Sequence, residues 1–248
     1  MFDLQDRAIL VTGAASGIGR ATTHALIAAG AARLVLVDRN AGGLAAIDAA
    51  GAAVEHHVGD VSDPVFWDRL DLGRIDHLVA SAGIATSGMI ADLDLADWRH
   101  TLAVNLDGTF LALRAAMRAI PAAGSIVLVA SASGVKAEAG IAAYAASKAA
   151  VLQLARVAAK EGAPRGLRVN AIAPAGVETP IWNAVPAFAA LAAERGEAAA
   201  YRAMAAQATP LGRFATAAEI AGQILFLLSD ASGYITGQAI ISDGGYTL

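Results

Sequence analysis

The run Ala8-Ile9-Leu10-Val11-Thr12-Gly13-Ala14-Ala15-Ser16-Gly17-Ile18-Gly19 decides the fold. Four apolar residues read as a buried strand, and the glycines let the chain turn tightly into a segment of helical composition, residues 20–29, stopped by Gly30. A strand that turns this way into a helix aims unpaired backbone N–H groups and the positive helix end at one point. That is an anion site suited to a pyrophosphate. The spacing Gly13-x-x-x-Gly17-x-Gly19 differs from the commoner Gly-x-Gly-x-x-Gly dinucleotide fingerprint. The alternative, a glycine-rich turn with no ligand, is weakened by the strand before and the helix after.

Outward from this point, apolar runs alternate with helical segments. Strands are expected at residues 8–11, 33–37, 53–58, 77–80, 125–130, 168–172 and 239–242, and helices near 20–29, 43–50, 64–70, 97–120, 140–161 and 217–228. The strands are rich in Val, Ile and Leu with little alternation, which means burial on both faces. The expected fold is α/β: a Rossmann-like, doubly wound parallel sheet of seven strands with helices on both faces. No linker or second domain is visible, so residues 1–248 are expected to form a single dinucleotide-binding catalytic domain. One long irregular stretch, 180–213, carries Trp182, Phe188, Tyr201 and Met204 and is expected to be a helical substrate lid.

Tyr144-Ala145-Ala146-Ser147-Lys148 carries the chemistry. Four residues span a little over one helical turn, so the phenol and the ammonium leave the same face. A cation so placed favours phenolate and suits the tyrosine to acid–base work. The bland alternative is a solvated i,i+4 pair. Lys136, Lys148 and Lys160 are the only lysines among 18 basic Lys and Arg residues, so a chain that otherwise prefers arginine keeps a lysine here.

Together these motifs resemble the short-chain dehydrogenase/reductase family over essentially the whole chain. In their order the resemblance covers Thr12 to Gly19, Asp38, Asp60-Val61, Ser81-Ala82-Gly83, Asn105, Ser131, Tyr144 with Lys148, Asn170 to Thr179, and Ser242-Asp243-Gly244-Gly245. Two positions depart from the family pattern: Ser81 stands where Asn is usual, and Ala175 where Gly is usual.

The resemblance implies roles. Gly13, Ser16, Gly17, Ile18 and Gly19 would cradle the cofactor phosphates. Asp60, Val61, Ser81, Ala82 and Gly83 would line the adenine side, and Pro174, Val177 and Thr179 the nicotinamide. Asp38, at the end of the second strand, can accept hydrogen bonds from the adenosine ribose and would repel a 2′-phosphate, so NAD is the expected cofactor. Arg39 beside it could partly rescue NADP. Tyr144 would exchange a proton with the substrate oxygen while Lys148 lowers its pKa and holds the nicotinamide ribose. Ser131 would hydrogen-bond the same oxygen, with Ser133 as its rival, and Asn105 would bind a relay water beside the lysine. Trp182 is expected to touch substrate, a largely apolar secondary alcohol or ketone; a 3-oxoacyl thioester or a sugar or polyol is the alternative within the family. A homotetramer is also implied.

Bulk properties narrow the classes. Zero cysteines exclude disulfides and thiol nucleophiles. A net charge of −4 without a basic cluster argues against nucleic acid. The charged start Met1-Phe2-Asp3-Leu4-Gln5-Asp6-Arg7 and the lack of a long uncharged apolar run suggest neither export nor a membrane span, so a cytoplasmic location is expected. A hydrophobic fraction of 56% hints at subunit contacts. His56 and His57 lack a ligand-spaced carboxylate, so no metal is expected. His24, His77 and His100 stand alone, and Glu138 reads as a solvated loop carboxylate. A nucleotide-sensing regulator without catalysis and a non-redox enzyme on the same scaffold are the rival classes; intact Ser131, Tyr144 and Lys148 argue against the first, the whole glycine loop against a lyase.

Overall fold

The computed structural model describes residues 2–248. Seven strands form one parallel sheet: β1 (Ala8–Thr12), β2 (Arg33–Asp38), β3 (Ala53–Val58), β4 (His77–Ala80), β5 (Ser125–Val129), β6 (Arg168–Pro174) and β9 (Ala239–Ser242). Their spatial order is β3-β2-β1-β4-β5-β6-β9. The chain winds outward from β1 in one direction and, after β3, crosses back to β4 on the other side. The crevice outside the carboxyl ends of β1 and β4 is therefore the switch point at which such sheets bind ligands.

The interior strands are apolar because both faces are covered. Along β1, Leu10 packs into one core layer and Ile9 and Val11 into the other. Helices α5 (Gly108–Ala119) and α6 (Ala142–Gly162) cover the first layer through Leu111, Ala112, Ala116, Val151 and Ala155. Helices α1 (Gly17–Ala28) and α9 (Ala217–Leu228) cover the second through Leu26, Ile220, Ile224 and Leu227. At the sheet edge, β3 mixes apolar with polar residues, and Glu55 there pairs with Arg33 at 2.6 Å.

The expected elements hold with three differences. Residues 97–120 are not one regular helix. α4 (Leu95–Leu102) passes through a π-helical turn, Ala103–Asp107, before α5 begins. The second helix is short, α2 (Ala41–Ala45), started by Asn40, whose side chain accepts from the Gly43 amide. Within 180–213 lies a 3₁₀ turn, Pro180–Ala184, then α7 (Pro186–Arg195) and α8 (Glu197–Ala208), parted by Gly196 at φ +80. This segment is flanked by β7 (Val177–Glu178) and β8 (Ala215–Thr216), a two-residue ladder the sequence reading omits. The third helix, α3 (Pro64–Arg69), is capped by the Asp63 side chain.

Candidate active site

The loops that follow β1, β2, β3, β4, β5 and β6, together with α6, the helix over Glu197–Ala208 and the C-terminal tail, surround one cavity of about 750 Å³ at the switch point. Its floor at one end is the glycine loop. Gly13 lies at φ +68 and Gly17 at φ +51, the left-handed region that disfavours side chains. A Cβ on Gly19 would stand 2.1 Å from the Gly13 carbonyl oxygen, so only glycine lets α1 begin this close to β1. The first N–H groups of α1 therefore open into the cavity beside Ser16, Gly17 and Ile18.

Asp38, at the end of β2, is fixed by two amides: Ala15 donates to Oδ2 at 3.0 Å and Asn40 to Oδ1 at 2.9 Å. Each oxygen keeps a lone pair for another donor. Arg39 and Asp60 line the same end, with Val61, Ser81, Ala82 and Gly83 beyond them. Partial burial pulls the Asp60 carboxyl upward, but hydrogen bonds from Ser62 win and leave it below the usual carboxylate value, with Arg39 helping. The Ser81 and Ala82 amides both donate to the Thr12 hydroxyl, at 3.2 and 3.3 Å. That pair of bonds ties β4 to β1 whichever residue stands at 81.

Lys148 is the pivot of the other half. It is 4% exposed and donates one hydrogen bond, to the Val129 carbonyl at 2.9 Å. Three donors and one fixed acceptor leave donors free where Lys148 lines the cavity. Burial lowers its pKa to about 8. Tyr144 stands one turn earlier on α6, its ring centroid 5.8 Å from the ammonium. Burial raises the phenol's pKa, and the nearby Ser131 hydroxyl pulls it partly back. The expected lowering by Lys148 does not enter: burial dominates, and the Ser131 hydroxyl is the group that opposes it. Ser131 Oγ accepts the Ser133 amide at 3.1 Å and points weakly at the Pro174 carbonyl, 3.4 Å away. Ser133 also lines the cavity, but its amide serves to hold Ser131.

Asn105 occupies the π-helical turn and is fully buried. Its Oδ1 accepts the Ile84 amide at 2.8 Å, and its Nδ2 donates to the Ile84 carbonyl at 3.0 Å and to Ser147 Oγ at 3.1 Å. These bonds fix the side chain, and Oδ1 keeps a second lone pair on the side of Lys148. Ser147, which sequence reading passed over inside the motif, donates to the Tyr144 carbonyl at 2.7 Å and so joins Asn105 to the first turn of α6. A Cβ on Gly83 would lie 3.3 Å from Asn105 Oδ1 and 3.4 Å from Lys148 Nζ, which packs that loop against both.

Thr179 is 8% exposed and sits beneath the glycine loop, 3.3 Å from where a Gly17 Cβ would be. It also anchors the following segment: Tyr201 donates to its carbonyl at 3.0 Å, and Trp182 Nε1 bonds Val177 O at 2.9 Å. Trp182 stacks on Phe214 with centroids 4.9 Å apart. Two aromatic residues expected at the substrate are elsewhere. Phe188 is fully buried against Tyr201, 4.6 Å centroid to centroid, and neither lines the cavity. The apolar wall is made instead by Ile181, Trp182, Val185, Met204, Ala208 and Phe214. Sequence reading missed Phe214 and Tyr246, which reach the cavity from distant parts of the chain. Glu138, read as a solvated loop residue, is exposed yet lies on the cavity wall.

A glycine turn into a helix, a carboxylate after β2 and a tyrosine–lysine pair around one cavity at the switch point define a dinucleotide-binding α/β protein. The family model described as enoyl-(acyl carrier protein) reductase matches residues 13–247. The chain is 40% identical to D-threitol dehydrogenase of Mycolicibacterium smegmatis, covering 100% of this chain and 95% of that one. It is 38% identical to cis-4-hydroxycyclohexanecarboxylate dehydrogenase of Sinomonas cyclohexanicum, covering 98% and 97%. The crystal structure of levodione reductase superposes with a TM-score of 0.87 at 34% identity over 97% of each chain. The chain belongs to the short-chain dehydrogenase/reductase family and is an oxidoreductase acting on alcohol or carbonyl groups.

Proposed function

We propose that this chain is an NAD(H)-dependent oxidoreductase that interconverts a secondary alcohol of largely apolar body and its ketone. The observation that carries the reading is Lys148: a buried ammonium with a single protein acceptor, on the cavity wall between the glycine loop and Tyr144. A buried cation left with free donors is costly unless a ligand takes them, and ribose hydroxyls are suitable acceptors.

The residues divide the work. The free amides of the glycine loop receive the pyrophosphate; Asp38 holds the adenosine ribose and disfavours a 2′-phosphate, which supports NAD over NADP. Asp60, Val61, Ser81, Ala82 and Gly83 bound the adenine side, and Pro174, Val177 and Thr179 the nicotinamide side. When bound, the nicotinamide supplies or accepts the hydride. Tyr144 gives its hydroxyl proton to the substrate oxygen in reduction and takes it back in oxidation. Ser131 donates a hydrogen bond to that oxygen as charge develops on it. Asn105, through Ser147, holds the start of α6 so that phenol and ammonium keep their spacing. Residues 180–213 act as a lid tied to the body at Thr179, and Trp182 presents an apolar face to the substrate.

A polyol is the second reading, favoured by the 40% identity to D-threitol dehydrogenase. The test is the absorbance of reduced nicotinamide with purified protein, NAD and a panel of apolar secondary alcohols, polyols and hydroxy acids. Turnover confined to polyols would replace the apolar reading. Failure to reduce NAD or NADP with any of them, and to oxidise the reduced cofactors with the matching ketones, would refute the activity.

A further inference from the structure

The apolar wall of the cavity has one charged interruption. Among the described residues that line it, the charged groups are Asp38, Arg39, Asp60, Lys148 and Glu138. The first three belong to the ends of β2 and β3, and Lys148 lies beside Tyr144. Glu138 alone stands on the loop that joins Ser131 to Tyr144, on the substrate side. It makes no ion pair among the described residues, and the Tyr246 hydroxyl approaches it. An exposed carboxylate on open surface would need no explanation; one placed on a mainly apolar substrate wall does.

Its surroundings are built rather than loose. Tyr246 lines the same cavity, and its hydroxyl is buried without a geometrically acceptable hydrogen-bond partner. Burial first, and then the adjacent Glu138 carboxylate, raise the Tyr246 pKa, so the phenol stays protonated and faces the carboxylate as a donor. The ring is held from behind by Lys136, whose ammonium lies 4.3 Å from its centroid and donates to the Tyr246 carbonyl. The tail itself is fixed by Asp243, which accepts from the Gly245 amide at 2.9 Å and from the Thr247 amide at 2.8 Å and hydroxyl at 2.6 Å. Lys136 and Asp243 thus fix Tyr246 beside a carboxylate that spends none of its acceptor capacity on a charged protein partner.

We propose that Glu138, seated on Tyr246, receives a second hydroxyl of the substrate, so that the preferred substrates are diols or hydroxy ketones with an apolar frame. The proposal rests on the oxidoreductase reading above and reconciles its two versions: the wall of Ile181, Trp182, Val185 and Met204 takes the carbon frame, and Glu138 takes a hydroxyl remote from the reacting carbon. A carboxylate accepts from O–H and repels another carboxylate, so substrate acids are disfavoured at this position. Glu138 touches substrate, whereas Tyr246 and Lys136 are positioning residues.

The test compares cyclohexanol, the isomeric cyclohexanediols, an aminocyclohexanol and 4-hydroxycyclohexanecarboxylate with NAD. The wild type is expected to prefer at least one diol over cyclohexanol by about tenfold or more in kcat/KM, as a hydrogen bond to a charged group allows. Glu138→Gln should bring that ratio close to one, chiefly through KM of the diol, and should improve the carboxylate substrate. Gln at 138 keeps an acceptor oxygen for the Tyr246 hydroxyl, and an unfolding temperature equal to that of the wild type checks the fold. Tyr246→Phe, which deletes a hydroxyl, should raise KM of the diol while sparing kcat. No diol preference in the wild type, a preference that survives Glu138→Gln, or a stronger preference for the amino alcohol would each overturn the proposal. If cyclohexanol and the diols alike give no turnover, the apolar secondary-alcohol reading fails, and this inference with it.

Discussion

Lys148→Met should stabilise this protein near neutral pH while abolishing its activity. Methionine keeps most of the volume and removes the charge. Burial takes the ammonium from 10.5 to about 8, which corresponds to roughly 3 kcal/mol of penalty on the charged form. Against this, the variant loses the hydrogen bond to Val129 O, worth about 1 kcal/mol. The balance is a gain of about 2 kcal/mol wherever the native lysine is charged in both folded and unfolded chains. The folded protein releases this proton near 8, the unfolded chain near 10.5. Between those values the unfolded chain holds more protons, so wild-type stability rises with pH there, and the penalty is present in full only below about 8. Above about 10.5 the penalty is gone and only the hydrogen bond distinguishes the two proteins.

The difference between variant and wild type should therefore change sign, from about +2 kcal/mol near pH 7 to about −1 kcal/mol near pH 11. Urea unfolding of both proteins at one protomer concentration measures it, since other alkaline titrations cancel in the comparison. A variant that is less stable than the wild type by the same amount at both pH values would show that the ammonium carries no burial cost, and the reasoning from Lys148 to a cofactor-binding cation would fail. A stabilising substitution at the centre of a site is the mark of a group kept for function rather than for folding.

How much of this was legible in the sequence depends on where each cause lies. β1 and the glycine loop were readable because every cause is local: an uninterrupted apolar run and glycines at fixed offsets. Tyr144 and Lys148 were readable for the same reason, since helix geometry alone sets their spacing. The π-helical turn at Ala103–Asp107 was not. It exists because Asn105 bonds Ile84 and Ser147, and Gly108 must let Val61 approach to 2.7 Å of where a Cβ would stand; none of those partners is near in sequence. The helical character of 180–213 was expected but not the bounds of its helices, although local signals existed, Pro186 at a helix start and Gly196 between them. Their alanine-rich faces carry no apolar stripe to mark a period. Phe188 and Tyr201 were expected at the substrate because composition cannot tell an aromatic residue that packs beneath a wall from one that faces outward. Only the tertiary fold brings Tyr246 to Glu138.

Three further outcomes are expected. Tyr144→Phe should keep cofactor binding and lower kcat by at least about a hundredfold, as loss of a general acid–base group does; a variant retaining more than a hundredth of wild-type turnover would remove Tyr144 from the proton step. Phe110 on α5 is 44% exposed and Val157 on α6 is 45% exposed, so light scattering should give a homotetramer built partly on these helices, and Phe110→Glu should reduce its mass; a wild-type monomer at micromolar concentration would refute it. The last concerns cofactor choice. Asp38 holds the Ala15 and Asn40 amides, so Asp38→Asn, which retains an acceptor oxygen and removes the charge, perturbs the loop less than alanine would. Like-charge contact costs several kcal/mol at a close interface, so the wild type should prefer NAD over NADP, and the variant should narrow that ratio by about tenfold or more, with Arg39 then free to meet a 2′-phosphate. Equal kcat/KM for both cofactors in the wild type would mean that Arg39 already outweighs Asp38, and the NAD assignment would fall while the reaction class stood.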